Sequence, residues 1–172
     1  MSGFIPDLTT RVSVEIDTTD ISDAISRISG TILEDVFTEE LEDAKNTLEN
    51  LKQPLTQAVA EGLQSNQEMI ISSKHYITGM MANSVDLSND GDDILVGNTA
   101  MTVDGFPYPL AIETGSKDHW VAPVTFDVLH WTDGGKDYYS KGHMVSGITA
   151  DPFVEPSIEN TMWDIDEIFS DL

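Results

Sequence analysis

Histidine, carboxylate and hydroxyl side chains are the groups in this chain that could do chemistry, and their spacing limits what that chemistry is. The four histidines, His75, His119, His130 and His143, form neither an i, i+4 pair nor the HExxH arrangement that lets one helix face hold zinc. Asp86, Ser88 and Asp90 fall at positions one, three and five of a calcium-loop pattern, with Gly91 at six. Position twelve needs a bidentate Glu but is Gly97, and the flanks read as strands, so Asp86–Asp93 reads as a turn rather than an ion loop. Ser, His and Asp are plentiful, yet no GxSxG elbow appears, and Gly134, Gly135 and Gly142 build neither a GxGxxG nor a P-loop. Cysteine is absent, which removes disulfides, thiolate catalysis and cysteine-rich zinc sites together. No catalytic, cofactor-binding or metal-ligating residue is assigned, and the expectation is a protein that is not an enzyme. The rival chemical reading is a hydrolase built on clustered carboxylates with His119 or His143 and a divalent metal.

The elements that would have to position such groups follow from hydrophobic periodicity. Arg11–Ile16 alternates, predicting a strand with Val12, Val14 and Ile16 on one face, and Thr19 or Asp20 is a plausible N-cap after it. Ile21, Ile25, Ile28, Ile32, Val36, Leu41, Ala44, Leu48, Leu51 and Leu55 recur mostly every three or four residues. That pattern predicts a long amphipathic helix, or two pieces, with breaks at Gly30 and Pro54 and a continuation over Leu55–Gln67. Val85–Leu87 and Ile94–Val96 flank SNDGDD, a hairpin turn; Val124–Trp131 and Lys136–Ser140 flank Asp133-Gly134-Gly135, a second one. Val103–Ile112, with two prolines, reads as loop, and Trp120, Trp131, Tyr138 and Tyr139 are expected to pack between strands. Pro156–Leu172 predicts a last helix with Pro156 at its first position and Ile158, Met162, Ile165, Phe169 and Leu172 on one face. The fold class is α+β in one domain, 1–172: mainly helical over 1–67, sheet and loops over 68–155, and a terminal helix over 156–172.

Charge is the unusual property. Thirty-one acidic residues face eight basic ones, for a net −23, spread as −8 over residues 1–60, −6 over 61–110 and −9 over 111–172. Self-repulsion of that size loosens a small domain in dilute buffer, but at molar salt the Debye length is roughly 3 Å and the repulsion is screened. The composition therefore points to a high-salt cytoplasm. So few Lys and Arg exclude a module that grips nucleic acid by its phosphates. No run of eighteen apolar residues predicts a membrane span, and MSGFIPDLTTR lacks the basic start and apolar stretch of a signal peptide.

Three stretches together go further. Thr78-Gly79-Met80-Met81-Ala82-Asn83-Ser84-Val85 is similar to a TGxLxxSI-like motif after an N-terminal helix. Tyr108-Pro109-Leu110-Ala111-Ile112-Glu113-Thr114-Gly115-Ser116 resembles a Y-A-x-x-V-E-x-G-T stretch. Gly147 through Asp151-Pro152-Phe153-Val154-Glu155-Pro156 resembles a G-x-x-A-x-P-F-L-x-P ending before a terminal helix. In this order they resemble the neck or tail-completion (head–tail connector) proteins of long-tailed double-stranded DNA viruses, over roughly residues 68 to 165. The family pattern often has His-Pro before the glycine, where this chain has Val145-Ser146, and a basic or polar residue where Glu155 stands.

The resemblance implies a structural virion protein of the head–tail junction, assembled in the host cytoplasm, here from a virus of a halophilic, archaeal host. Its partners would be copies of itself in a ring (a hexamer, with a dodecamer as the alternative), adjacent neck or connector proteins, and the tail tube or tail terminator. DNA would pass through the channel without specific binding, and no cofactor or membrane is implied. The family-motif residues are Thr78, Gly79, Met81, Ser84, Tyr108, Glu113, Thr114, Gly115, Gly147, Pro152, Phe153 and Pro156. Ile25, Ile32, Leu41, Ile165 and Phe169 are the subunit-contact candidates, since apolar contacts survive high salt. The alternative to this reading is a halophilic soluble binding or regulatory domain.

Overall fold

Alternation near the N-terminus produces a strand, but a shorter one displaced toward the start. In the computed structural model, which describes residues 4–30, 34–74, 79–103 and 105–170, β1 is Thr9–Val12. Its partner is β3 (Asp93–Asn98), and Val12 pairs with Ile94, so the ladder runs out of partner before Val14 and Ile16. On its other side β3 pairs with β2 (Val85–Asp90), giving an antiparallel sheet ordered β1-β3-β2. Asp90 opposite Asp93 leaves Gly91-Asp92 as a two-residue turn, with Gly91 at φ 68°. A positive φ at the first central residue alone is the type II′ pattern, and glycine takes it without strain. The SNDGDD stretch is therefore a hairpin, with Asp86, Ser88 and Asp90 strung along a strand instead of wrapped around an ion.

The helical part comes in three pieces, α1 (Thr19–Ile28), α2 (Glu34–Asn50) and α3 (Lys52–Lys74). The N-cap is Thr18, rather than Thr19 or Asp20, and it makes no side-chain cap bond; one residue before it, Asp17 Oδ1 accepts the Thr19 N–H at 2.9 Å. Gly30, at φ 77°, lies just beyond the end of α1. Pro54 does not break the helix. It is the third residue of α3, where a missing N–H has no intrahelical partner to lose, and the interruption falls at Leu51. The predicted Leu55–Gln67 piece extends to Lys74.

One face of α3 builds the core of the first compact unit, which comprises Met1–Ala100 and Val154–Leu172. Ala60, Leu63, Ile70 and Ile71 are buried, as are Val12, Val85, Ile94 and Val96 of the sheet beneath. Helices α5 (Val154–Trp163) and α6 (Ile165–Ser170) also pack on α3. The predicted continuous last helix is thus two, and Pro156 is third in α5 instead of first. Its buried face carries Ser157 and Thr161, whereas Met162 is 68% exposed. Polar residues fit there because Thr161 bonds inward: its hydroxyl accepts from Asn66 Nδ2 at 3.1 Å and donates to the Ser157 carbonyl at 2.8 Å. Helices α1 and α2 pack on each other, and none of α1, nor of residues 37–50 in α2, is buried.

The second unit is Met101–Phe153. The segment read as loop contains helix α4 (Tyr108–Thr114), because Pro109 sits in a first turn that tolerates it. Pro109 is buried, whereas Leu110 and Ile112 are half-buried. Two small ladders follow: β4 (His119–Val121) with β7 (His143–Val145), and the hairpin of β5 (Leu129–Asp133) with β6 (Lys136–Ser140). Gly134 and Gly135, at φ 55° and 78°, fill its turn with the type I′ pattern. The strand predicted from Val124 begins only at Leu129.

Candidate functional site

Two of the three motifs are bonded to each other. At the end of α4, Glu113 Oε2 accepts the Phe153 N–H at 2.8 Å, and the Ile112 carbonyl accepts the Asp151 N–H at 2.9 Å. Four residues on, the Ser116 N–H donates to the Ile148 carbonyl at 2.9 Å, and the Ile148 N–H donates to Ser116 Oγ at 3.1 Å. Asp118 Oδ1 closes the far end by accepting the Gly147 N–H at 2.8 Å. The result is a clasp between residues 112–118 and 147–153.

Both glycines of the clasp are fixed by close approach. Gly115 stands at φ 74°, and a Cβ there would lie 2.9 Å from the Ala150 nitrogen and the Ile148 oxygen. A Cβ at Gly147 would collide with the Ser116 carbonyl. Thr114 donates its hydroxyl to the Leu110 carbonyl at 2.8 Å, closing α4 on itself. Tyr108 opens α4, and its partial burial raises the phenol above its usual range. Pro152 is exposed, Phe153 is fully buried, and Pro156 is half-buried in α5 next to the exposed Glu155.

The first motif lies in the first unit, between α3 and β2. Thr78 lies outside the described residues, as do His75 and Ile32. Gly79, at φ 70°, accepts the Asn83 N–H at 3.0 Å, and Ser84 donates to the Met80 carbonyl at 2.6 Å. Met81 is buried, and its carbonyl takes a hydrogen bond from Asn98 Nδ2 at 2.8 Å. Asn98 is wholly buried and accepts the Ala100 N–H at 2.9 Å through Oδ1, so it locks the link to the end of β3. Asn98 is not among the residues singled out from the sequence. The signal was available: it follows Ile94 and Val96 at period two, so its side chain points inward and needs partners.

The subunit-contact candidates do not share one surface. Ile25 and Leu41 are half-buried in the α1–α2 pair, where Ile25 borders a groove with Glu42, Lys45 and Asn46. Ile165 is half-buried beside Val12 and Leu63, and Phe169 is 41% exposed on α6. Of the aromatic residues expected between strands, Trp131, Tyr138 and Tyr139 instead lie in stacked pairs across the exposed β5–β6 hairpin, and Trp120 is 62% exposed on β4. Trp131 stacks on Tyr138 at 5.6 Å and 16°, and His130 on Tyr139 at 4.8 Å and 17°, on opposite faces. Register explains this: directly opposed residues on a two-stranded ladder meet whether or not a second layer covers them.

His130 Nε2 also lies 3.0 Å from Asp137 Oδ1, which accepts the Thr132 hydroxyl at 2.8 Å. These bonds, Thr132 first, hold the Asp137 carboxyl below the usual range. His143 sits against Trp131 at 5.1 Å with Nδ1 buried and unbonded, and His119 Nδ1 lies 3.1 Å from the Lys117 carbonyl. Among the described residues no three His, Asp or Glu side chains stand close enough to share a metal ion. No helix among them is long and apolar enough to cross a membrane. With its separate helical, sheet and hairpin parts the chain is an α+β protein. No protein family, curated protein or solved structure matches it.

Proposed function

We propose that this chain is a structural protein of the head–tail junction of a long-tailed double-stranded DNA virus of a halophilic host. Copies form a ring in the neck of the virion and join the capsid connector to the tail. An acidic channel lets the genome pass without adhering. The clasp carries this reading. Glu113, Gly115 and Gly147, which belong to two of the three motif resemblances, each have a geometric reason to be that residue, and Phe153 beside them is fully buried. The two motifs, about 30 to 40 residues apart in sequence, meet in one structural unit.

The neck role is tested by deleting the gene from the virus and examining lysates by electron microscopy. Separate filled heads and finished tails are the expected result, restored to joined particles by the chain supplied in trans. Joined infectious particles from the deletion would overturn the proposal.

A further inference from the structure

The acidic charge is not spread evenly at fine scale. Residues 117–144 hold Lys117, Lys136 and Lys141 against Asp118, Asp127, Asp133 and Asp137, a net of −1 within a chain of −23. The same stretch exposes Trp120 at 62%, Val124 at 99%, Phe126 at 80% and Tyr139 at 66%. None of the β5–β6 hairpin is buried, and a bare two-stranded hairpin is marginally stable at best in water. Beside it, Val124, Phe126, Leu129, His130 and Tyr139 line an open groove of about 620 Å³.

We infer that this near-neutral apolar surface, the hairpin with the Pro123–Val128 segment beside it, is where one copy of the chain docks on another. The inference deepens the assembly reading above and rests on it for its setting: the patch meets its own counterpart to make a pair, and the ring needs a second contact besides it. Charge singles out the partner. A basic partner would be drawn to the acidic remainder of the molecule, whereas a second −23 chain needs a meeting place that adds little repulsion. Val124, Phe126 and Tyr139 expose roughly 450 Å² of side chain on this surface, and a stable pair that buries about 800 Å² on each partner is a little over half apolar.

The test uses the full chain in molar KCl, followed by analytical ultracentrifugation. Wild type is expected to self-associate. A Val124→Asp, Phe126→Asp double variant is expected to associate about 100-fold more weakly. Its far-UV circular dichroism should be unchanged, because both side chains already face solvent. The chain has no cysteine, so Val124→Cys gives a single thiol that should cross-link copies under mild oxidant. Trp163→Cys, at the exposed last residue of α5, should not. Unchanged association of the double variant, or cross-linking through Trp163→Cys in place of Val124→Cys, would place self-association elsewhere and overturn the inference. A wild-type chain monomeric up to roughly 100 µM would also overturn it. Each of these results leaves the neck role to the gene deletion, which fails or succeeds independently.

Discussion

Gln67 holds two buried polar atoms without partners in the first unit, and replacing it should strengthen the fold. Its side chain is fully buried on α3, and neither Nε2 nor Oε1 has a hydrogen-bond partner. A buried polar group left without a partner costs about 1–3 kcal/mol, and this side chain has two. Methionine follows the same unbranched course, so Gln67→Met removes both polar groups while keeping the length of the side chain. A volume-conserving swap usually costs under about 1.5 kcal/mol in repacking. The net expectation is a gain of about 2 kcal/mol, or roughly 4–8 °C in Tm for a chain of this size. Urea unfolding in molar KCl, followed by far-UV circular dichroism, measures it as a shift in midpoint at constant slope. Gln67→Glu should move the midpoint the other way, since it places a charge where even an amide is unpaired. A Gln67→Met protein less stable than wild type by about 1 kcal/mol or more would refute the reasoning, for the amide would then have to be bonded in solution.

The clasp gives two further expectations. Gly115→Ala combines a positive φ with contact against backbone atoms, and should destabilise the second unit by about 1–3 kcal/mol, read as faster amide exchange at Ser116 and Ile148. Glu113→Ala leaves the Phe153 N–H without its acceptor and should cost about 1–3 kcal/mol, with Glu113→Gln recovering most of it by keeping one acceptor oxygen. On pH, the depressed Asp137 carboxyl contributes in full above about 4, its ordinary value, and its contribution fades as the pH falls through its own lower one. NMR of the hairpin should show the Thr132 and Asp137 signals shifting together on acidification, and shifts confined to Asp137 would count against the bond. Asn98→Ala should cost about 2–3 kcal/mol by stranding the Met81 carbonyl and the Ala100 N–H in a buried site.

Local chemistry made some of this visible in the sequence. Gly91 and the Gly134-Gly135 pair announced both hairpins, because each turn needs positive φ at those positions. Gly30 likewise falls where a helix stops. Pro54 and Pro109 read as a helix break and a loop, since a proline in a first turn looks the same in sequence as one that breaks a helix; Pro156 reads as a first-turn residue and is one, two positions later than expected. The face of α5 was misjudged because Ser157 and Thr161 are buried through hydrogen bonds, which hydrophobic periodicity does not register. The clasp was legible as two motifs and not as one object. Its bonds join residues about 30 to 40 positions apart, and no local pattern says that Glu113 will meet the Phe153 N–H.

That clasp also bears on the order in which the chain can fold. The first unit is discontinuous: 53 residues separate Ala100 from α5, which must return to α3. Closing a loop of that length carries an entropy penalty that grows with the logarithm of its length. If residues 112–118 and 147–153 zip together first, the free chain between Ala100 and α5 shrinks to about a dozen residues. The closure then becomes easier by about 1 kcal/mol. Gly115 and Gly147 would in that case govern folding speed as well as final stability. A Gly115→Ala chain should refold more slowly than wild type, with the delay seen in the docking of α5.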